Sequence, residues 1–501
     1  MPERYHRHVR VVFIAAECEP WAKSGGLGDV VDALARALWQ VEGGPDEPVE
    51  VFLPRYRSVP VPAGSTTGLV VRVPDPLAPG RTSEIPIIEV TGDGYRLRLV
   101  DAPAAFDRPG YYGDGAHDYP DNAWRFGLFC RAALEALAVE GRPVDLLSLH
   151  DWHAAPVALY RDRFYRDDPV VARAAIVLTL HNLAYHGWTP IEQVGQLGLG
   201  VEDALATWDA AGIDLLGAAI VRAEIVNTVS PGFAREALTP AFGMGLDRLL
   251  RAKGDRFLGI LNGLDTELWD PARDAALAAP YSRLDRSGKA ACRTDLLERV
   301  GFDPDDRGPV LGAIGRLDPQ KGFDLIAGAA ERLLALGARL VVQGSGDHEL
   351  AEPLRRVAAA HPARVALIER FDREMARRIY AGADLFVMPS RFEPCGQGQM
   401  IALRYGTPPI VRRTGGLADT VVDVDEQPGR GTGFVFDEPT PEALLAACRR
   451  AIGLHRAGGE PWQALVERGM AVDFDWRSSS APRYLEVFRR AIELRRAALG
   501  G

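Results

Sequence analysis

The feature that most restricts what this chain can fold into is an alternation of short β-branched runs with helical stretches. A first series of runs comprises VRVVFIAAE (9–17), VEVFLPRY (49–56), IPIIEV (85–90), YRLRLVDAP (95–103), VDLLSLHD (144–151), AAIVLTLHN (174–182) and EIVNTVSPG (224–232). A second comprises VLGAIGRL (310–317), ARLVVQGSG (338–346), RVALIER (364–370), LFVMPSR (385–391), PPIVRRTGG (408–416) and GFVFDE (433–438). Several are apolar on both faces, as strands covered by helices on two sides must be. The segments between them, such as VVDALARALWQ, WRFGLFCRAALEALAVE, DLIAGAAERLLALG and PEALLAACRRAI, read as helices. Alternating β and α elements predict an α/β fold with parallel sheets.

The two series are separated by irregular sequence at 265–309, which predicts two doubly wound domains. The boundaries read as 1–260 for the first, 261–473 for the second and 474–501 for a closing helical segment, PRYLEVFRRAIELRRAAL. GFDPDDRGP (301–309) reads as a linker or domain entry, and VPVPAGSTTG (59–68) and EQPGRGTG (426–433) as surface loops. With 58 basic against 68 acidic side chains the net charge is −10, which lacks the footprint of a nucleic-acid or anionic-membrane binder. Cys18, Cys130, Cys292, Cys395 and Cys448 are odd in number and widely spaced, the pattern of reduced thiols rather than of a disulfide framework or zinc site. The charged N-terminus MPERYHRHVR leads straight into a strand, and no apolar run reaches membrane-spanning length, so a soluble cytoplasmic protein is expected.

Ligands of open α/β sheets bind outside the carboxyl ends of the strands, and the polar and glycine-rich motifs of this chain fall there. KSGGLGDV (23–30) puts Lys23, Gly25, Gly26 and Asp29 between a strand and a helix, either as a tight turn or as an anion site built on the helix N-terminus. It is not a GxGxxG fingerprint, and a GxxxxGK[ST] loop is absent as well. GRLDPQKG (315–322) places Arg316 and Lys321 across a turn, a fork and a compact charge suited to one diphosphate, or else an exposed basic turn. Gly346 and Asp347 follow the next strand in GSGD. PSRFEPCGQGQ (389–399) sets Glu393 before a helix expected near Gly396, where a carboxylate suits sugar hydroxyls and Cys395 suits packing. HDWHAAP (150–156) and HNLAYHG (181–187) bring His150, His153, His181, Asn182 and His186 after adjacent strands. Hydrogen bonding to a polar ligand, or satisfied core histidines, fits them better than a metal, since HExxH is absent. Thr414, Gly415 and Gly416 repeat the strand–glycine–helix arrangement. Two such edges facing each other would form an interdomain cleft.

Taken in order, KSGGLGDV, HDWHA, HNLAYHG, NTVSPGFAREAL, GILNGLDTELWDP, IGRLDPQKGFDLI, PSRFEPCGQGQ and YGTPPIVRRTGGLADTV resemble the bacterial glycogen synthases and the catalytic part of plant starch synthases. The resemblance spans about residue 9 to FDW at 474–476. It implies a GT-B glycosyltransferase with two Rossmann-like domains and a last helix that crosses back to the first. It also implies transfer of glucose from ADP-glucose to the non-reducing end of an α-1,4-glucan (glycogen or a maltooligosaccharide), with retention and without metal or cofactor. By the same resemblance Lys23 lies near the donor phosphate and sugar, Arg316 and Lys321 neutralise the diphosphate, Glu393 holds the glucose, and His153 contacts the sugar. The alternatives are a related GT-B enzyme using UDP-glucose or another acceptor, and a weakly active glucan-binding paralogue. The chain departs from the family pattern at Ser24, His186 and Gly217, and in the run Gln397, Gly398, Gln399, where Leu-Thr-Gln is usual.

Overall fold

A computed structural model describes residues 9–76, 78, 80–114, 117–200, 202–203 and 211–500. The expectation for the first eight residues of the charged N-terminus lies outside them. Contacts divide the chain into one unit of residues up to 229, 234–263 and 476 onward, and a second of 230–233 and 264–475.

The first unit carries strands β1 (Val11–Ile14), β2 (Val49–Pro54), β3 (Thr66–Pro74), β4 (Thr82–Thr91), β5 (Tyr95–Val100), β6 (Leu146–His150), β7 (Ala175–Leu180), β10 (Ile225–Thr228) and β11 (Phe257–Gly259), with a separate antiparallel pair β8 (Trp188–Pro190) and β9 (Gly212–Asp214). The large sheet runs β11-β10-β7-β6-β1-β2-β5-β4-β3. It is parallel from β11 to β5, and its last two pairings are antiparallel. The all-parallel expectation therefore fails at this edge, and VPVPAGSTTG is loop only up to the start of β3. Residues of β3 alternate exposed and buried toward its end, as on a sheet with one wet face, whereas β1, β2, β6 and β7 are buried throughout. The final helix Ala481–Ala498 belongs to this unit: Asn227 Nδ2 donates to Tyr484 Oη at 3.2 Å and Arg489 Nη2 to Gly43 O at 2.7 Å.

The second unit is built on β12 (Val310–Leu317), β13 (Arg339–Gly346), β14 (Val365–Ile368), β15 (Leu385–Met388), β16 (Pro409–Arg412) and β17 (Phe434–Phe436), all parallel in the order β14-β13-β12-β15-β16-β17. Apolar faces of helices Phe323–Ala335 and Pro441–Ala457 close one side of this sheet around Leu311, Leu340, Ile410 and Phe434. On the other side Leu296, Leu297 and Phe302 pack with Val310, Val341 and Ile379. GFDPDDRGP is therefore an internal loop of this unit rather than a linker: Leu296 and Leu297, just before it, belong to the same apolar cluster as Val310, just after it.

Candidate active site

In the first unit β6 lies between β1 and β7, so the turns after these three strands are neighbours. The turn after β1 is pinned by Glu17, which is 3% exposed. Its Oε2 accepts from Ser24 N at 2.6 Å and Gly25 N at 3.1 Å, and its Oε1 from Ser24 Oγ and Tyr112 Oη, each at 2.6 Å. The helix Gly26–Gln40 starts immediately afterwards. The anion already held by this glycine-rich turn is thus the chain's own carboxylate. Lys23 Nζ lies 2.5 Å from Asp29 Oδ1 and 3.9 Å from Glu19 Oε2. Burial raises the Asp29 pKa against the pull of Lys23.

Beyond β6, Asp151 takes a left-handed backbone (φ 59°). Its Oδ1 accepts from His181 N at 2.6 Å and is 3.4 Å from Asn182 N, tying the turn after β6 to the turn after β7. Burial pushes its carboxyl up to about 7. His181 Nε2 is 3.0 Å from His150 Nδ1. His153 stacks on Tyr112 (ring centroids 4.7 Å apart) and contacts Phe126 and Trp152, and its Nδ1 is buried without a hydrogen-bond partner among the described residues. Burial, then the nearby Arg125 guanidinium, lowers the His153 pKa to about 3, and burial alone does the same to His181. Both rings are neutral imidazoles at physiological pH. His186 stands apart from this group: its Nδ1 meets Asp214 Oδ2 at 2.8 Å, and Asp214 Oδ1 caps the helix Leu215–Arg222 through Gly217 N. Among the described residues no three His, Cys, Asp or Glu side chains form a group that could hold a metal ion.

In the second unit β12 lies between β13 and β15, with β16 next, so their turns also gather at one edge. Lys321 Nζ donates to Glu393 Oε2 at 2.7 Å, and Ser390 Oγ donates to the same oxygen at 3.0 Å. The Glu393 side chain is 6% exposed, that of Lys321 21%. Asp318 shapes the turn by accepting from Lys321 N at 3.1 Å, and Gly322 closes it with φ 68°, where a side chain would meet Pro389 O. Arg316 is 55% exposed, with Nη2 3.1 Å from Asp318 Oδ2. Gly346 pairs with Leu317 in the sheet, directly beside Arg316, and Asp347 caps the helix His348–Ala360 through Glu349 N.

Glu393 is also fixed through its backbone, because Gly416 N donates to Glu393 O at 3.0 Å. Gly415 (φ 44°) approaches so closely that a Cβ there would lie 2.0 Å from Glu393 O. Thr414 and Cys395 are buried, and Gly396 turns with φ 74°. The helix after Cys395 runs Gly398–Arg404, two residues later than expected. Gln399 is fully buried and its Nε2 lies within 3.1 Å of Cys395 O, Gly396 O and Thr420 Oγ1, fastening the two glycine-bearing turns together.

The arrangement offers two cations, a buried carboxylate and narrow glycine turns at one sheet edge. It suits a diphosphate whose attached group carries hydroxyls. The structure brings Lys321 to Glu393 and sets Thr414, Gly415, Gly416, Cys395 and Gly396 around them, and in the other unit it links Lys23, Gly25, His153, His181 and Asn182 through Glu17, Tyr112 and Asp151. Sequence reasoning did not single out Asp151, and it marked Glu17 only as the start of the polar stretch after the first strand and Gln399 only as part of the Gln-Gly-Gln run. An acidic residue closing a buried strand is the only sequence signal that marks Glu17.

Residues 10–252 match the starch synthase catalytic domain family and residues 308–453 the glycosyl transferases group 1 family. The chain is 42% identical to a glycogen synthase of Syntrophotalea carbinolica, covering 98% of this chain and all of that one. It is 44% identical to a glycogen synthase of Anaeromyxobacter dehalogenans, covering 96% and 99%. Among solved structures, the catalytic domain of starch synthase IV from Arabidopsis thaliana, bound to ADP and acarbose, superposes with a TM-score of 0.89 at 35% identity, over 97% of this chain and all of that one. Two units, each on a predominantly parallel sheet with its polar turns at the strand ends, make the GT-B type of architecture. The chain belongs to the glycogen and starch synthase family of glycosyltransferases.

Proposed function

We propose that this protein transfers glucose from ADP-glucose to the non-reducing 4-hydroxyl of an α-1,4-glucan, glycogen or a maltooligosaccharide, with retention of configuration. The observation that carries the reading is the Lys321–Glu393 pair, seated with Ser390 at the strand ends and flanked by the exposed Arg316. The reaction breaks the bond from glucose C1 to the diphosphate oxygen and forms one from C1 to the acceptor oxygen. Its main demand is stabilisation of the departing negative charge, which preorganised cations supply. Arg316 and Lys321 take the diphosphate and Glu393 the glucose hydroxyls. Cys395, Gly396, Gly346, Asp347 and Thr414 to Gly416 form the walls that admit the nucleotide and phosphates. In the other unit Lys23 serves the donor phosphate and sugar, and Gly25, Gly26 and Asp29, with His153, His181 and Asn182, serve sugar and acceptor. The proton of the attacking hydroxyl passes to a donor phosphate oxygen, on the face from which ADP departs. The unit of residues 264–475 is accordingly the donor side, and the one closed by the C-terminal helix the acceptor side.

Among the described residues no helix is long and apolar enough to cross a membrane. All five cysteines are free and buried, which suits the reducing cytoplasm. The reading requires that purified protein incorporate label from ADP-[14C]glucose into glycogen. Gln397 and Gly398 favour a second donor, UDP-glucose, only if label from that compound enters faster; binding of glycogen without turnover of either donor would replace transfer by glucan binding.

A further inference from the structure

Glu17 is a buried carboxylate that, among the described residues, accepts from four donors and pairs with no cation: Ser24 N, Ser24 Oγ, Gly25 N and Tyr112 Oη, at 2.6 to 3.1 Å. Three of these anchor the turn that carries Lys23. The fourth anchors Tyr112, whose ring stacks on His153. Tyr112 has further restraints of its own, since Asn122 Nδ2 donates to its carbonyl at 2.8 Å and Arg125 Nη1 to Asn122 Oδ1 at 2.5 Å. By contrast the His153 ring has packing on its faces and, among the described residues, no hydrogen bond at Nδ1. Its orientation is therefore set by its aromatic neighbours, among which Tyr112 is hydrogen-bonded to the Glu17 carboxylate. A carboxylate suits this place because it accepts at two oxygens from backbone and hydroxyl donors together, whereas a hydroxyl or carbonyl would satisfy fewer of them.

We propose that Glu17 is a positioning residue that holds the Lys23 turn and the His153 ring in one fixed relationship, through Ser24 and Gly25 on one side and Tyr112 on the other. The inference rests on the glucosyl-transfer reading, and wild-type turnover of ADP-glucose checks that reading separately. Loss of such an anchor displaces reacting groups by fractions of an ångström, which is expected to lower kcat on the order of thirtyfold or more in Glu17→Ala. Glu17→Gln can accept from Ser24 N and Gly25 N with its oxygen and donate to both hydroxyls with its amide. It should recover kcat to within about threefold of wild type, because the role is geometric and not one of charge. Tyr112→Phe keeps the ring and removes only its bond to Glu17, and should lower kcat about three- to tenfold with an unchanged KM for the donor. In ligand-free protein the NMR signal of the His153 ring should move in Tyr112→Phe and in Glu17→Ala. A Gln variant as poor as Ala overturns the proposal in favour of a charge role. An unmoved His153 signal together with unchanged kcat in Tyr112→Phe overturns it outright, even if Glu17→Ala does not fold and whatever donor the wild type uses.

Discussion

Lys321 Nζ lies 2.7 Å from Glu393 Oε2, a bond that joins the turn after β12 to the turn after β15 across 72 residues of sequence. The carboxylate is largely buried while the ammonium is more open. The pair therefore holds itself in place while leaving part of the cation available to an incoming phosphate.

The two side chains should behave as a unit. Among the described residues, Lys321→Ala leaves the buried carboxylate with Ser390 alone for support, so it should destabilise the protein by about 1–3 kcal/mol, read by urea unfolding. Adding Glu393→Gln should recover part of that loss, and a double-mutant cycle giving zero coupling would contradict the pairing.

Arg316 is exposed and its ion pair lies within its own turn. Arg316→Ala should leave stability within about 0.5 kcal/mol, yet lower kcat/KM for ADP-glucose about a hundred- to a thousandfold. Steady-state kinetics beside a thermal melt separate the two effects.

Gly415 combines φ 44° with a Cβ direction that points at Glu393 O, 2.0 Å away. Gly415→Ala must push the Glu393 turn aside, and a shift of about 1 Å costs about a hundredfold in rate. An alanine variant with wild-type kcat would show that the Glu393 backbone can move without consequence.

Much of this was legible from the chain. β12 occupies its predicted span, and Arg316, Lys321 and Glu393 stand out because strand ends concentrate ligand chemistry. Other features depend on distant partners. β3 has too little β-branched sequence before Leu69 to outweigh the glycine and serine around it, and β4 is what makes it a strand. β8, β9 and β11 are three residues each, too short for any periodicity to register. Glu17 acquires its meaning from Tyr112, 95 residues away, and Asp151 from its left-handed backbone, neither of which a local pattern encodes.

The buried histidines fix a pH dependence. His153 and His181, lowered to about 3 by burial, stay neutral in the folded protein while the unfolded chain binds protons below about pH 6.5. Stability is therefore lost as pH falls below that value, by about 1.4 kcal/mol per pH unit for each ring. Asp151, raised to about 7 by burial, acts oppositely: its carboxyl takes up a proton first in the folded state, adding stability as pH falls from 7 towards 4. Urea midpoints between neutral and mildly acidic pH should fall less steeply in His181→Gln and more steeply in Asp151→Asn. Identical slopes in all three proteins would contradict these assignments.

In the proposed transfer, cationic side chains at the strand ends of the second unit stabilise ADP as it leaves. The direct measurement is the rate of ADP release from saturating ADP-glucose with glycogen, wild type against Lys321→Ala, with glycogen affinity measured alongside. In Lys321→Ala, kcat should fall about a hundred- to a thousandfold with glycogen binding unchanged. A folded Lys321→Ala protein releasing ADP at the wild-type rate would contradict it.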